Sequence, residues 1–331
     1  MTERGLLARI LPRLSGARVE VGPGDDAALV EAPDGRFVFS IDTVVQDQDF
    51  RLLWPNGSVG SGYDVGWKSA AQNLSDINAM GAVTTSAVIS LTLPSDTPVH
   101  WVEGFADGFS AAVAALGAHR CAIVGGDLGR GRELSATAAV TGDLGGHAPV
   151  LRSGARPGNV LAVCGRLGAA AAGLALLESA LPQAELERRH RRLIDLQLRP
   201  RPPLEAGPLA AAGGATAMMD LSDGLARDAP RMARASGVDL QLDVAALALH
   251  AEELGPTGRL LQTDPFGWVV HGGEDFALLA TFPAAIHLPV GFSAIGSTAS
   301  GHGEVRIGGT VIGEAGWDHF TAARSAGGTG G

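Results

Sequence analysis

The residues of this chain best suited to chemistry are aspartates set between glycines and apolar runs. Gly22-Pro23-Gly24-Asp25-Asp26 delivers two adjacent carboxylates, and the apolar segment from Arg36 ends on a third, Asp42. The pattern returns in Asn73-Leu74-Ser75-Asp76, Gly125-Gly126-Asp127, Asp220-Leu221-Ser222-Asp223-Gly224 and Gly272-Gly273-Glu274-Asp275. Each has an ordinary reading when taken alone. Glycine–aspartate pairs make turns, and Ser222 or Asp223 ahead of an amphipathic run is a normal helix start. Capping explains little of the GGED segment, because the FALLAT run behind it reads as strand. Together the segments point elsewhere. A carboxylate at the end of an apolar segment is costly to desolvate unless a cation or hydrogen-bond donors compensate. Oxygen ligands of this kind suit Mg²⁺, which binds through a few carboxylates plus water and substrate phosphates.

The elements that must position these residues follow from periodicity. Residues 1 to 15 read as a short helix packing Leu6, Leu7, Ile10 and Leu11, and RFVFSID reads as a strand. Asp47, Asp49 and Phe50 fall in a loop beyond it. A helix is expected over 59–80, with Gly81 at its C-cap and Asn73 and Asp76 on one face. VTTSAVISLTLP is a strand ended by Pro94. Trp101, Phe105 and Phe109 recur at helical spacing as a core stripe, and CAIVGGD and LSATAAVTGDLG are strands. Composition shifts to Gly, Pro, Arg and Ser near 142–158, which places a domain boundary there. The second half opens with the strand NVLAVCG, a glycine- and alanine-rich helix, and an Arg-rich helix over 184–198 ended by PRPP. A strand, an acidic turn and a helix then follow around DLSDGL. The rhythm is α/β or α+β in both halves.

Composition limits the classes open to the chain. Its 331 residues suit two domains, and 46% hydrophobic with 18% charged residues describes a globular protein. A net charge of −10 argues against a nucleic-acid binder. Cys121 and Cys164 sit inside apolar runs and read as buried, reduced thiols, which points to the cytoplasm. No signal-peptide core and no membrane-length apolar segment is expected, so the chain reads as soluble. Familiar nucleotide signatures are missing: Lys68, the only lysine, follows Trp67 and not glycine, so SGYDVGWKS is no P-loop. The nine histidines form no metal-ligand pair at helical spacing.

In order, GPGDDAAL, SIDT, NLSDINAMGA, GGDLGRG, RSGARPG, DLSDGL, GGEDF and GWDHF resemble the thiamine-monophosphate kinase family nearly end to end. The wider superfamily includes aminoimidazole ribonucleotide synthetase, selenophosphate synthetase and a hydrogenase maturation protein. The resemblance implies a β-rich N-terminal domain over 1–148 that pairs in a homodimer, a C-terminal α/β domain over 149–320, and a disordered tail over 321–331. It implies that Asp26, Ser40, Ile41, Asp42, Asp76, Asp127, Asp220 and Asp223 hold several Mg²⁺ ions, with Asp42 and Asp220 central to catalysis. It further implies that Gly126, Asp127, Arg152 and Ser222 contact ATP, and that Asp49, Glu274 and Trp317 hold thiamine monophosphate. Ile41 departs from the family's Ser-Thr-Asp, so any metal contact there must use its carbonyl.

The implied reaction is direct in-line phosphoryl transfer from ATP to the phosphate of thiamine monophosphate. A phosphate monoester has its second pKa near ~6, so the acceptor oxygen is largely ionised and no general base is needed. Repulsion between two polyanions is the obstacle, and bridging cations remove it. Two other readings stay open: a sister enzyme acting on a purine-pathway intermediate, and a non-catalytic metal or nucleotide sensor.

Overall fold

Alternation along β1 (Val38–Val45) sets the first sheet: Val38, Ser40, Asp42 and Val44 take one face, and Phe39, Ile41 and Thr43 the other. The computed structural model describes residues 32–313 together with 9, 11–13, 315 and 316. Asp26, Trp317, most of the expected N-terminal helix and the 321–331 tail lie outside the described residues. β1 joins β2 (Val83–Leu93), β3 (Ala122–Arg130) and β4 (Ser135–Asp143) in the order β1-β4-β2-β3, with only β2 and β3 parallel.

Two helices, α1 (Gly62–Ala79) and α2 (Val99–Ala115), cover one face of this sheet. Their buried side includes Leu74, Ile77, Phe105 and Phe109, packed against Val44, Ile89 and Val140. The expected aromatic stripe stacks along α2, with Trp101, Phe105 and Phe109 centroids 6.2 and 6.3 Å apart. The helices meet closely because Gly66 has no side chain: a Cβ there would lie 2.1 Å from the Phe105 carbonyl oxygen. α1 starts later than position 59 because Ser61 and Asp64 form a reciprocal capping box, and Gly81 follows it at φ +79. The other face of the sheet carries Phe39, Ile41 and Val88 at 58%, 57% and 42% exposure.

The second sheet holds β5 (Asn159–Cys164), β6 (Ala217–Leu221), β7 (Val238–Leu242), β8 (Ala277–Pro283), β9 (Phe292–Ser300), β10 (Val305–Ile307) and β11 (Thr310–Val311). Their order is β11-β10-β7-β9-β5-β8-β6, antiparallel except at β10–β7. Helices α3 (Ala169–Leu177), α6 (Leu225–Ser236), α7 (Val244–Leu261) and α8 (Pro265–His271) contribute to one core, through Ala172, Met232, Leu247 and Val269. The short α5 (Ala206–Ala212) contributes to another, around Phe282 and Phe292. The Arg-rich helix α4 (Arg188–Leu198) begins four residues later than expected. Residues 183–185 form a separate 3₁₀ turn, and Leu186 is extended and interrupts the helical path. The two halves meet along α1, where Trp67 Nε1 donates to the Pro200 carbonyl at 2.8 Å and Gly207 N to Asn78 Oδ1 at 2.7 Å.

Candidate active site

Helix α1 presents adjacent residues to both sheets. Ser40 Oγ on β1 donates to Asp76 Oδ2 at 2.5 Å, while Ser75 Oγ donates to Asp220 Oδ2 at the end of β6 at 2.8 Å. Asn73 completes the join: its amide donates to the Ser69 carbonyl at 2.8 Å, and its Oδ1 accepts from the Asp42 N–H at 3.1 Å. Asp42, Asp76 and Asp220 thus converge from three separate segments.

Their electrostatics fit a set lacking countercharge. Burial pushes the Asp42 carboxyl up to about 7, and Asp76, Asp49 and Asp223 add to the effect. Asp220, buried at 5% exposure, is pushed up to about 7 by desolvation and then by Asp76. Burial also raises Asp76, against the Ser40 hydrogen bond and the positive field of Arg152. Arg152 itself is exposed and also eases Asp220 and Asp228. Charges held this close favour protonation unless a cation offsets them.

Asp223 is held from several sides. Arg231 Nη2 reaches its carboxylate at 2.8 Å and Arg227 Nε at 3.5 Å. Fully buried Asp228 accepts from the Asp223 N–H at 2.9 Å and from Arg231 Nη1 at 2.8 Å. Burial pushes Asp228 up to about 6. The ordinary reading of Ser222 or Asp223 as a helix cap does not hold; Gly224 takes that position at φ +109.

The GGED segment also departs from expectation, because half of it is a cap. Asp275 accepts from the Gly168 and Ala170 amides at the start of α3, and desolvation pushes its carboxyl up to about 7. Glu274 adopts φ +65, a conformation that few non-glycine residues take. Its carboxylate accepts from Lys68 Nζ at 2.7 Å and from the Gln197 amide. Lys68, 2% exposed, also donates to the Asp49 carbonyl at 3.1 Å, and Asp49 Oδ2 accepts from the Val45 N–H at 2.7 Å. One buried ammonium therefore ties together two of the expected substrate residues. Asp42, Asp49, Ser222, Asp223 and Glu274 line a cavity of about 510 Å³ whose apolar wall includes Trp54, Leu174 and Trp268. His271 lines it too and faces the Ala315 carbonyl at 3.2 Å.

Gly126 and Asp127 lie on β3, at the far side of the sheet from β1. Asp42, Ala138, Ile89 and Gly126 form one cross-strand row, whereas Asp127 pairs with exposed Ser90 and faces the uncovered side. Within one chain, Asp127 is therefore not brought to the carboxylate cluster. Gly126 is required sterically, since a Cβ there would lie 1.9 Å from the Ile89 carbonyl oxygen. Ile41 sends its side chain to the uncovered side as well.

Sequence reasoning gave no role to Lys68, Gln197, Asn73, Ser75, Asp228 or Arg231. The chain's single lysine was one usable signal; the spacing of Asp223, Arg227 and Arg231 at steps of four along a helix was another. Gln197 carries no local signal.

Two family models match the chain. "AIR synthase related protein, N-terminal domain" covers residues 24–144, and "AIR synthase related protein, C-terminal domain" covers 156–267. The chain is 46% identical to the thiamine-monophosphate kinase of Mycobacterium tuberculosis over 93% of this chain and 88% of the relative. It is 37% identical to that of Corynebacterium glutamicum, over 87% and 83%. Among solved structures it is similar to AaThiL complexed with AMPPCP and TMP, with 30% identity, a TM-score of 0.77 and 96% of each chain covered.

Proposed function

The chain belongs to the thiamine-monophosphate kinase family, and from that premise we propose that it transfers the terminal phosphoryl group of ATP to thiamine monophosphate, giving thiamine diphosphate. The observation that carries this reading is the meeting of Asp42, Asp76 and Asp220, from both halves of the chain, beside a cavity with one acidic and one apolar wall. Such a cavity suits a ligand with a cationic, aromatic body and a phosphate at one end.

The carboxylates fit magnesium. The donor set is oxygen only, and its raised pKa values mark a need for positive charge. Among the described residues, no three His, Cys, Asp or Glu side chains form a ready-made cage. That suits an ion that completes its shell with water and substrate phosphates. Ser40, Asp42, Asp76, Asp220 and Asp223, with Asp26 and the Ile41 carbonyl, would hold several Mg²⁺ ions; Asp127, which one chain does not bring to them, would take part only from a second copy. When bound, they supply the charge neutralisation that lets two phosphate-bearing substrates approach.

The chain's own groups do the rest. Gly126, Asp127, Arg152 and Ser222 hold ATP. Asp49, Glu274 and Trp317 hold thiamine monophosphate. Glu274 is neutralised by Lys68, so it orients the substrate by shape and hydrogen bonding more than by free charge. The apolar wall around Trp54 and Trp268 limits water near the transferring group, which disfavours hydrolysis. Asp42 and Asp220 matter as charges and not as bases, because the acceptor phosphate is already ionised.

The exposed Phe39, Ile41 and Val88 support pairing of this sheet with a second copy, giving a homodimer of 1–148 units beside 149–320 units. Buried free Cys121 and Cys164 are in keeping with a cytoplasmic setting, and among the described residues no helix is long and apolar enough to cross a membrane. ADP release that requires thiamine monophosphate tests the reading. ADP release with a purine-pathway acceptor alone would overturn it in favour of a sister enzyme.

A further inference from the structure

A separate concentration of positive charge lies away from the acidic cleft. Arg188, Arg189, Arg191 and Arg192 place four arginines within five positions of a chain whose net charge is −10. They stand on α4 and, with Arg166, line a second cavity of about 1250 Å³ that α7 closes from the other side. None of its lining residues is shared with the 510 Å³ cavity. The two are distinct sites along one helix: Gln197, also on α4, reaches Glu274, while the arginines line the second cavity.

The charge in this cavity is not neutralised internally. Five guanidinium groups face two carboxylates, Asp195 and Glu253. Glu253 pairs with Arg166 at 3.2 Å, and Asp195 is taken by Arg199 at 2.6 Å. Arg189 pairs with Glu187 outside the cavity lining. Arg188, Arg191 and Arg192 make no ion pair among the described residues. The walls are also held at a fixed separation. His190 Nδ1 on α4 meets Thr257 Oγ1 on α7 at 3.0 Å, and both residues are buried, at 5% and 2% exposure.

Guanidinium forks match phosphate oxygens two at a time, and like charges in a concave wall focus the field on an anion that relieves their repulsion. We propose that this cavity binds a small polyanion carrying two or more phosphate groups, at a site separate from the acidic cleft. The shared chemistry is the phosphate chain, whether inorganic or borne by a nucleoside. Nucleic acid is disfavoured by the net charge of −10 on the chain as a whole.

Calorimetric titration of the intact protein in EDTA tests this, because without divalent ions the carboxylate cleft repels polyanions. Tripolyphosphate is expected to bind one saturable site. The surface double variant Arg188→Ala/Arg192→Ala should weaken it about tenfold or more. Glu253→Gln, which frees Arg166, should tighten it, a gain that misfolding cannot produce. ADP run in parallel separates the sources: equal or weaker binding marks the phosphate chain alone, and tighter binding marks a nucleotide. No saturable binding to the natural chain would overturn the proposal. So would unchanged affinity in the double variant, or affinity that rises on Asp42→Asn, which would place the anion in the cleft.

Discussion

Asp42 and Asp220 sit in different sheets yet share one predicament, a carboxylate desolvated beside another carboxylate. Asp42→Asn and Asp220→Asn keep size and shape, and in the second variant the Ser75 hydroxyl can still donate to the new amide oxygen. Both variants are expected to fold while turnover falls about 100-fold or more, as when a preorganised charge-stabilising group is lost. Steady-state assays alongside thermal melts check this, and normal turnover in either variant would contradict the metal assignment. The same groups set a pH dependence. A carboxyl whose folded pKa lies above its unfolded value holds its proton more tightly when folded. Its stabilising contribution is full below about pH 4 and is lost as pH rises through about 7. Asp228 and Asp275 add in the same direction. In EDTA, Tm should therefore fall between about pH 5 and about pH 8, and added Mg²⁺ should raise Tm more at the higher pH, where the carboxylates are ionised. A Mg²⁺ effect independent of pH would count against the site.

At the scale of elements, β3 depends on a missing side chain. Gly126→Ala would press a methyl group against the Ile89 carbonyl and push β3 from β2. A loss of about 1–3 kcal/mol is expected, as for overpacking elsewhere, together with a raised KM for ATP. Melting curves and ATP titrations read the two effects, and an unchanged variant would place the nucleotide elsewhere. The elements themselves were largely legible: the Trp101, Phe105 and Phe109 stripe and the alternation of β1 report local periodicity that tertiary packing preserved. The contacts that finish the site were not. Asp275 caps amides 107 and 105 positions away, and Lys68 meets Glu274 across 206. Nothing in the local pattern of GGED or GWKS marks such partners, so a cap resembles a ligand turn and Lys68 reads only as no part of a P-loop. The acidic segments were readable because carboxylates among glycines and apolar residues are conspicuous wherever they lie.

For the whole molecule, the proposed pairing of two copies rests on the exposed sheet face. Phe39 and Ile41 are each more than half exposed, and a stable pair buries about 800 Å² per partner. Light scattering should find a dimer for the natural chain and a monomer for Phe39→Asp/Ile41→Asp with its circular dichroism unchanged; a monomeric natural chain would refute the pairing. Asp127 faces the same side, so the monomeric variant should also lose turnover. The most direct measurement is thiamine diphosphate formation from thiamine monophosphate and ATP, with Mg²⁺ and with EDTA in excess. Product that appears with Mg²⁺ and vanishes with EDTA is the predicted result. No product with either, from protein that still binds ATP, would contradict the proposed function.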